Sequence, residues 1–269
     1  MLYAIAAPAK INLSLAITGK RDDGYHDLHS HVIFADIYDH LIFTPAAADS
    51  IHIDGDFAPA ILGGENLILK TLRLARGKSP QLPHYAVHLT KSIPVGAGLG
   101  GGSADAAATI RFLREWHADI FARCDWIDLA RQIGADVAVC IESRPAMMRG
   151  IGDIIDPIDS PNPYYGILLY PGLIIATPPV FAALDGVFSP PQPPATGHND
   201  LYCAAATLHP QLADIHAAIE RKIKPAAFGL SGSGSCFFML ANDAHEQNAI
   251  LRRAKSIFPD YWIRPFRAV

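Results

Sequence analysis

The chain has 269 residues, half of them hydrophobic and 18% charged, enough for one large globular domain or two of ordinary size. A formal net charge of −4 offers no electrostatic footprint for DNA or RNA, and no apolar run reaches the length of a membrane span. The first residues lack the basic-then-apolar order of a secretory signal, and Cys124, Cys140, Cys203 and Cys236 are scattered without C-x-x-C spacing, so a reduced, cytoplasmic protein is expected, handling small molecules and neither nucleic acid nor membrane.

In chain order, Ala4 to Ile17 alternates as a strand with Ile11, Leu13, Leu15 and Ile17 on one face. A turn-rich stretch ends at Gly24 and presents Tyr25 and His26, and Val32 to Phe43 reads as one or two further strands. Asn66 to Arg76 carries apolar residues at amphipathic helical spacing, and Tyr85, Val87 and Leu89 mark a strand feeding a glycine-rich segment. Ser103 to Leu113 is expected to be helical, as is 125–133, with Asp125 as N-cap and Gly134 at the C′ position. Beyond residue 145 the pattern predicts an apolar strand from Gly166 to Ala176, an extended Pro-rich loop over 188–196 and a helix over 209–222. A glycine–serine turn from Phe228 then enters a buried strand ending at Leu240, and a helix over 244–257 and a short strand near Trp262 close the chain. Strands and helices mixed in two halves, each with a glycine turn, predict an α+β protein of two domains, 1–150 and 151–269.

The most informative segment is Pro94-Val-Gly-Ala-Gly-Leu-Gly-Gly-Gly-Ser103, with five glycines between Gly96 and Gly102. Glycines allow positive φ and close backbone approach, and the amides of the helix that follows add partial positive charge, so the segment suits a polyphosphate. Gly96, Gly98 and Gly101 satisfy G-x-G-x-x-G, but no second strand follows to carry the acidic residue that a dinucleotide site needs. No lysine follows Gly102, which excludes a P-loop. A bare glycine turn is disfavoured, because each glycine costs about 0.5–1 kcal/mol of extra chain entropy.

Four other segments accompany it: Pro8-Ala-Lys-Ile-Asn-Leu13, Gly24-Tyr-His26, Gly134-Ala-Asp-Val137 and Leu230-Ser-Gly-Ser-Gly-Ser-Cys236, together with Asn199-Asp-Leu201. In this order the set resembles the GHMP kinase superfamily over about residues 3 to 240. The resemblance implies an N-terminal nucleotide domain of ribosomal-protein-S5-like topology and a ferredoxin-like C-terminal domain. It also implies ATP, with Mg2+, as phosphoryl donor to the hydroxyl of a cytidine-diphosphate-linked polyol.

Residue roles follow from that resemblance. Pro94, Val95, Gly96, Ala97, Gly98, Leu99, Gly100, Gly101, Gly102 and Ser103 would hold the ATP phosphates, with Asn66 and Lys91 on the adenosine side. Asp136 would accept or orient the acceptor hydroxyl's proton, although alone it reads equally as a turn-capping aspartate. Lys10, by itself an ordinary strand-edge lysine, would sit beside Asp136 and attract the incoming phosphoryl group. Asn12 shares its strand face and would bind substrate. Tyr25 would stack on cytosine and His26 read its polar edge, with Phe181 on the opposite ring face and Thr177 hydrogen-bonding nearby. Core packing is an equal alternative for Phe181. The histidines His26, His29 and His31 have no companion ligand at metal spacing, and Ser103 is the single candidate ligand for Mg2+.

Overall fold

A computed structural model of the chain describes residues 2–61, 63, 65–159, 163–184, 186, 188–190 and 192–268. Six strands form one sheet: β1 (Tyr3–Lys20), β2 (His26–Ala46), β3 (Ser50–Asp54), β4 (His84–Thr90), β5 (Ala146–Gly150) and β6 (Ile154–Pro157), in the order β3-β4-β2-β5-β6 with β1 on β2. Four more, β7 (Tyr164–Tyr170), β8 (Ala227–Leu230), β9 (Phe237–Ala241) and β10 (Trp262–Ala268), form a second sheet in the order β10-β7-β9-β8. The helices are α1 (Leu67–Lys78), α2 (Gly101–Trp116), α3 (Trp126–Ile133), α4 (Val137–Glu142), α5 (Thr177–Ala182), α6 (Leu201–Leu208), α7 (Gln211–Ala218) and α8 (Ala244–Ile257).

The chain divides into two compact units that interleave in sequence: Met1–Lys10, Ile37–Val95 and Gly100–Ser143 form the first, and Ile11–Asp36, Gly96–Leu99 and Arg144–Val269 the second. The long strands β1 and β2 each give residues to both.

In the first unit the C-terminal half of β2 pairs antiparallel with β4, and β3 pairs parallel with β4. The alternation read from Tyr85, Val87 and Leu89 is realised: these three are buried and the residues between them are not. Their face packs on α2, where the Phe112 ring lies flat on Phe43 with centroids 4.1 Å apart, and Tyr85 meets Phe112 edge-on at 5.0 Å. Such pairs add about 0.5–1.5 kcal/mol beyond the area they bury. Asn66 caps α1 by accepting from the Ile68 amide, and Asp125 caps α3 through the Ile127 and Asp128 amides.

Within the second unit β7, helices, β8, β9, α8 and β10 follow one another, and the three pairings of the sheet these strands form are all antiparallel. A βαββαβ order with the last strand beside the first is the ferredoxin-like arrangement. Its core joins Ile167 and Leu169 of β7, Phe237 and Met239 of β9, Leu212 and Ile215 of α7, and Ile250 and Ala254 of α8. Leu15 and Ile17 of β1 complete it.

Several local expectations are corrected. The strand beginning near Gly166 stops at Tyr170, because Gly172 takes φ +79° and turns the chain. Gly134 follows α3 with φ 179°, extended and not left-handed. α2 begins at Gly101, two residues before Ser103. The helix predicted over 209–222 is α7 continued by a π-helical turn over Ile219–Ile223. α4, at six residues, is too short to show a period in sequence.

Candidate active site

Lys10 lies on β1 with only 3% of its surface exposed, and its Nζ donates to Asp136 Oδ2 at 2.8 Å. Its stem packs under Gly100: a Cβ there would stand 3.3 Å from Lys10 Cβ and Cε. Asp136 occupies the N-cap position of α4, yet its side chain makes no capping hydrogen bond. The carboxylate turns to the lysine instead and remains 35% exposed, so Oδ2 is committed to the cation while Oδ1 stays reachable. Two features hold α4 in place. Its residues Val137 to Ile141 are all buried, and the guanidinium of Arg111, on α2, donates to the Cys140 carbonyl, Ser143 Oγ and the Ala6 carbonyl.

The limb of the glycine segment in this unit is Gly100 to Ser103. Gly100 caps α2 at φ +63° with no side-chain cap, which leaves the first-turn amides to an external acceptor. Ser103 makes no hydrogen bond through its hydroxyl among the described residues. Beneath this turn lies Lys91, whose Nζ donates to Asp39 and, at 2.7 Å, to Asp105 Oδ2. All three are buried, and Asp39 also accepts the Ser92 and Ile93 amides at 2.6 and 2.8 Å. The triad therefore ties β2, the end of β4 and α2 together at the base of the segment. The ammonium of Lys91 is spent on this triad, and Gly101 leaves room for it, since a Cβ there would stand 3.0 Å from Nζ. Burial pushes the Asp105 carboxyl up to about 7; the Lys91 charge opposes this and the Asp39 carboxylate reinforces it.

Gly96 to Leu99 belong to the second unit. Gly96 and Gly98 have φ of +63° and +74°, and a Cβ on Gly98 would lie 2.0 Å from the Ser231 carbonyl oxygen. The approach is stitched by Ser231 Oγ donating to the Gly98 carbonyl at 2.8 Å, by the Cys236 amide donating to Ala97, and by the Ile175 amide donating to Gly96. Asn199 holds the turn over 230–232 from behind: its Nδ2 donates to the Leu230 and Gly232 carbonyls at 2.7 and 2.8 Å. Asp200 accepts the Ile17 amide, and Leu201 enters the core, so every residue of Asn199-Asp-Leu201 has a distinct task.

Asn12 is buried in this unit, its amide donating to Ser231 Oγ and its Nδ2 to Ser30 Oγ, while Oδ1 has no partner among the described residues. Thr177 Oγ1 and Ser233 Oγ are 3.0 Å apart. Tyr25 is 57% exposed and touches no other ring among the described residues. His26 meets Phe181 at 5.3 Å between centroids and Phe188 at 6.5 Å. The structure thus brings Phe181 and Thr177 into the second unit with Asn12, Tyr25 and His26, and sets Phe181 against His26. Burial first, and the Lys20 charge second, pull His26 below the usual imidazole range, favouring a neutral ring with one donor and one acceptor.

Residue patterns alone did not single out Asp39, Asp105, Arg111 or Phe188; Asn199 and Ser231 stood in segments singled out from sequence, and the structure adds the hydrogen bonds that they make. Arg111 had a signal, a cation set between the apolar Ile110 and Phe112 within a helix; the two aspartates had none until their partner lysine was placed.

Comparison with known proteins supplies the family. The model for the GHMP kinases N terminal domain matches residues 66–144, and that for GHMP kinases C terminal matches 192–260. A protein of Paramagnetospirillum magneticum named 4-diphosphocytidyl-2-C-methyl-D-erythritol kinase is 38% identical over 98% of this chain and 97% of its own length. Its namesake from Cereibacter sphaeroides is 36% identical over 97% of both. The chain belongs to this family of GHMP kinases. A crystal structure of 4-(cytidine 5'-diphospho)-2C-methyl-D-erythritol kinase superposes with a TM-score of 0.80 at 31% identity, covering 99% of each chain. A homoserine kinase from Cytophaga hutchinsonii shares the fold, with a TM-score of 0.71 at 16% identity over 100% of this chain and 94% of its own. Family membership makes the chain an ATP-dependent kinase and a transferase. No helix among the described residues is long and apolar enough to cross a membrane.

Proposed function

We propose that this chain transfers the γ-phosphoryl group of ATP to the 2-hydroxyl of 4-diphosphocytidyl-2-C-methyl-D-erythritol, producing the 2-phosphate and ADP in the non-mevalonate route to isoprenoid precursors. The observation that carries the reaction is the buried Lys10 ammonium fixed 2.8 Å from a half-exposed Asp136 that caps nothing. The substrate rests on near-full-length similarity to relatives of that name.

Phosphoryl transfer needs positioning and charge neutralisation more than covalent chemistry. Asp136 orients the acceptor hydroxyl through its free oxygen and takes its proton as the bond to phosphorus forms. Lys10 holds that carboxylate in place and offsets negative charge on the transferring group. The segment from Pro94 to Ser103 receives the phosphates through backbone amides, and Asn66 and Lys91 stand on the adenosine side, Lys91 by fixing the strand end that leads into the segment. Mg2+ accompanying ATP would take the Ser103 hydroxyl as its protein donor, and the lack of any partner for that hydroxyl among the described residues is consistent with this. Tyr25, His26 and Phe181 are assigned to the cytosine, and Asn12 and Thr177 to polar groups of the same substrate. The unpartnered Oδ1 of buried Asn12 supports this, because a buried acceptor left empty costs about 1–3 kcal/mol and a substrate donor would relieve it. Residues 1–150 are assigned the nucleotide side and 151–269 the substrate side, with Asn12, Tyr25 and His26 of the N-terminal half also assigned to the substrate. The expected setting is the cytoplasm.

Coupled assays with Asp136→Asn test the assignment. Turnover should fall by about 10²–10⁴, while ATP affinity stays within about twofold. An unchanged rate would remove Asp136 from the mechanism, and phosphorylation of mevalonate in preference to the cytidyl substrate would overturn the proposed acceptor.

A further inference from the structure

We propose that His52, Asp54 and His88 form a binding site for a divalent transition-metal ion, Zn2+ above all, on the solvent face of the β3–β4 pair. The parallel register sets His52 directly opposite His88, and Asp54 lies two residues along β3 on the same face. The imidazoles are not stacked flat: their centroids are 5.2 Å apart and their planes 43° from each other. His88 Nε2 already stands 2.9 Å from Asp54 Oδ2, and one ligand atom from each of the three residues lies within 4.8 Å of the others.

Two imidazole nitrogens and a carboxylate oxygen suit zinc, whose bonds to N and O of about 2.0–2.2 Å place tetrahedral ligand atoms about 3.3 Å apart. The remaining closure is small and falls on side chains, which are exposed on β3 and half-buried on β4. The backbone beneath them is held, because Val87 and Leu89 on either side of His88 are core residues. Asp54 is also available. Elsewhere on this unit Asp49, Asp128 and Glu142 pair with Arg76, Lys78 and Arg114, whereas the ion-pair partner of Asp54 among the described residues is His88, without Lys or Arg. A metal would replace that weak pair, with water completing the coordination. The Mg2+ supplied with ATP prefers an all-oxygen octahedral set and competes poorly for two imidazoles.

The site has a structural consequence. The Asp54 carbonyl accepts the Lys91 amide at 2.7 Å, so an ion on Asp54 and His88 braces the strand end from which the glycine segment departs. This inference does not depend on the proposed substrate.

The test uses untagged full-length protein, stripped with chelator and titrated with ZnCl2 in a calorimeter. One equivalent per chain is expected, with affinity weakened about tenfold or more in each of His52→Ala and His88→Ala, and with a rise in Tm on zinc addition that both variants lose. Co2+ should give the intense visible absorption of a four-coordinate site in the parent and not in the variants. Kinase activity under Mg-ATP should be unchanged in both variants, which shows that they fold. Zinc binding equal in the parent and the double variant would overturn the site, as would no saturable binding, or one ion shared by two chains.

Discussion

Lys91 anchors the Gly100–Ser103 limb of the glycine segment, its ammonium lying against Gly101. Its ammonium is flanked by two buried carboxylates, and removing one member of such a set strands the others without compensation. Lys91→Met should therefore cost about 3–5 kcal/mol in urea denaturation, a large part of a typical domain's stability. A loss under about 1 kcal/mol would mean that the aspartates find other partners. Tyr25 is the opposite case: its side chain is exposed and meets no ring among the described residues. Tyr25→Ala should leave Tm unchanged and raise KM for the cytidyl substrate roughly 5- to 100-fold, with KM for ATP nearly constant, as loss of about 1–3 kcal/mol of stacking requires. Equal effects on both KM values would contradict the stacking role. Asp136 was ambiguous in sequence between a cap and a catalytic group. The structure gives it the cap position without the cap bond, because Lys10 competes successfully for its carboxylate.

At the scale of elements, the glycine segment divides into positions that require glycine and positions that merely have it. Gly98 has φ +74°, which costs an L-residue about 1–2 kcal/mol, and a Cβ would strike the backbone of Ser231 and Gly234, which no rotamer change relieves. Gly102 sits in the first turn of α2 at ordinary helical φ, and a Cβ there would meet only Leu67 Cδ1 at 3.6 Å. Gly98→Ala should weaken ATP binding by about tenfold or more, whereas Gly102→Ala should leave the loop intact and stabilise α2 by about 0.5–1 kcal/mol. Calorimetric ATP binding and thermal unfolding read the two effects separately; similar losses in both variants would refute the distinction. Element boundaries were legible where a local signal exists, as at the Asn66 and Asp125 caps, whose own side chains satisfy the first-turn amides. They were not legible where the stop comes from a turn downstream, as at Tyr170, or where the helix is a single buried stub like α4.

For the molecule as a whole, burial fixes how stability depends on pH. His26, His29, His31, His117 and His216 are all pulled below the ordinary histidine range, with burial the leading cause in each. Below pH about 6.5 the unfolded chain binds protons that the folded chain refuses, so stability falls as pH drops through that region. Asp105 works the other way: protonated in the folded state up to about 7, it contributes stability at low pH that is lost as pH rises through about 7. The two effects oppose each other between pH 7 and pH 5, so Tm should fall more steeply over that range in Asp105→Asn, where the carboxyl that gains stability at low pH is gone, than in the parent. Equal pH slopes in the two proteins would show that Asp105 takes up its proton alike in the folded and unfolded chain.

The sequence by itself determined the class of the protein: the glycine-rich segment, the Lys10 and Asp136 segments and the α+β alternation are all local patterns with local physical causes. Only the tertiary structure decided which charges meet. Lys10 with Asp136, separated by 126 positions, Lys91 with Asp39, separated by 52, and Asn199 with the turn at 230–232 are contacts between segments far apart in the chain. No periodicity or propensity encodes such a pairing. It follows from burying the apolar faces of β1, β4 and α2 together, after which each buried charge must find the partner that the packing has left beside it.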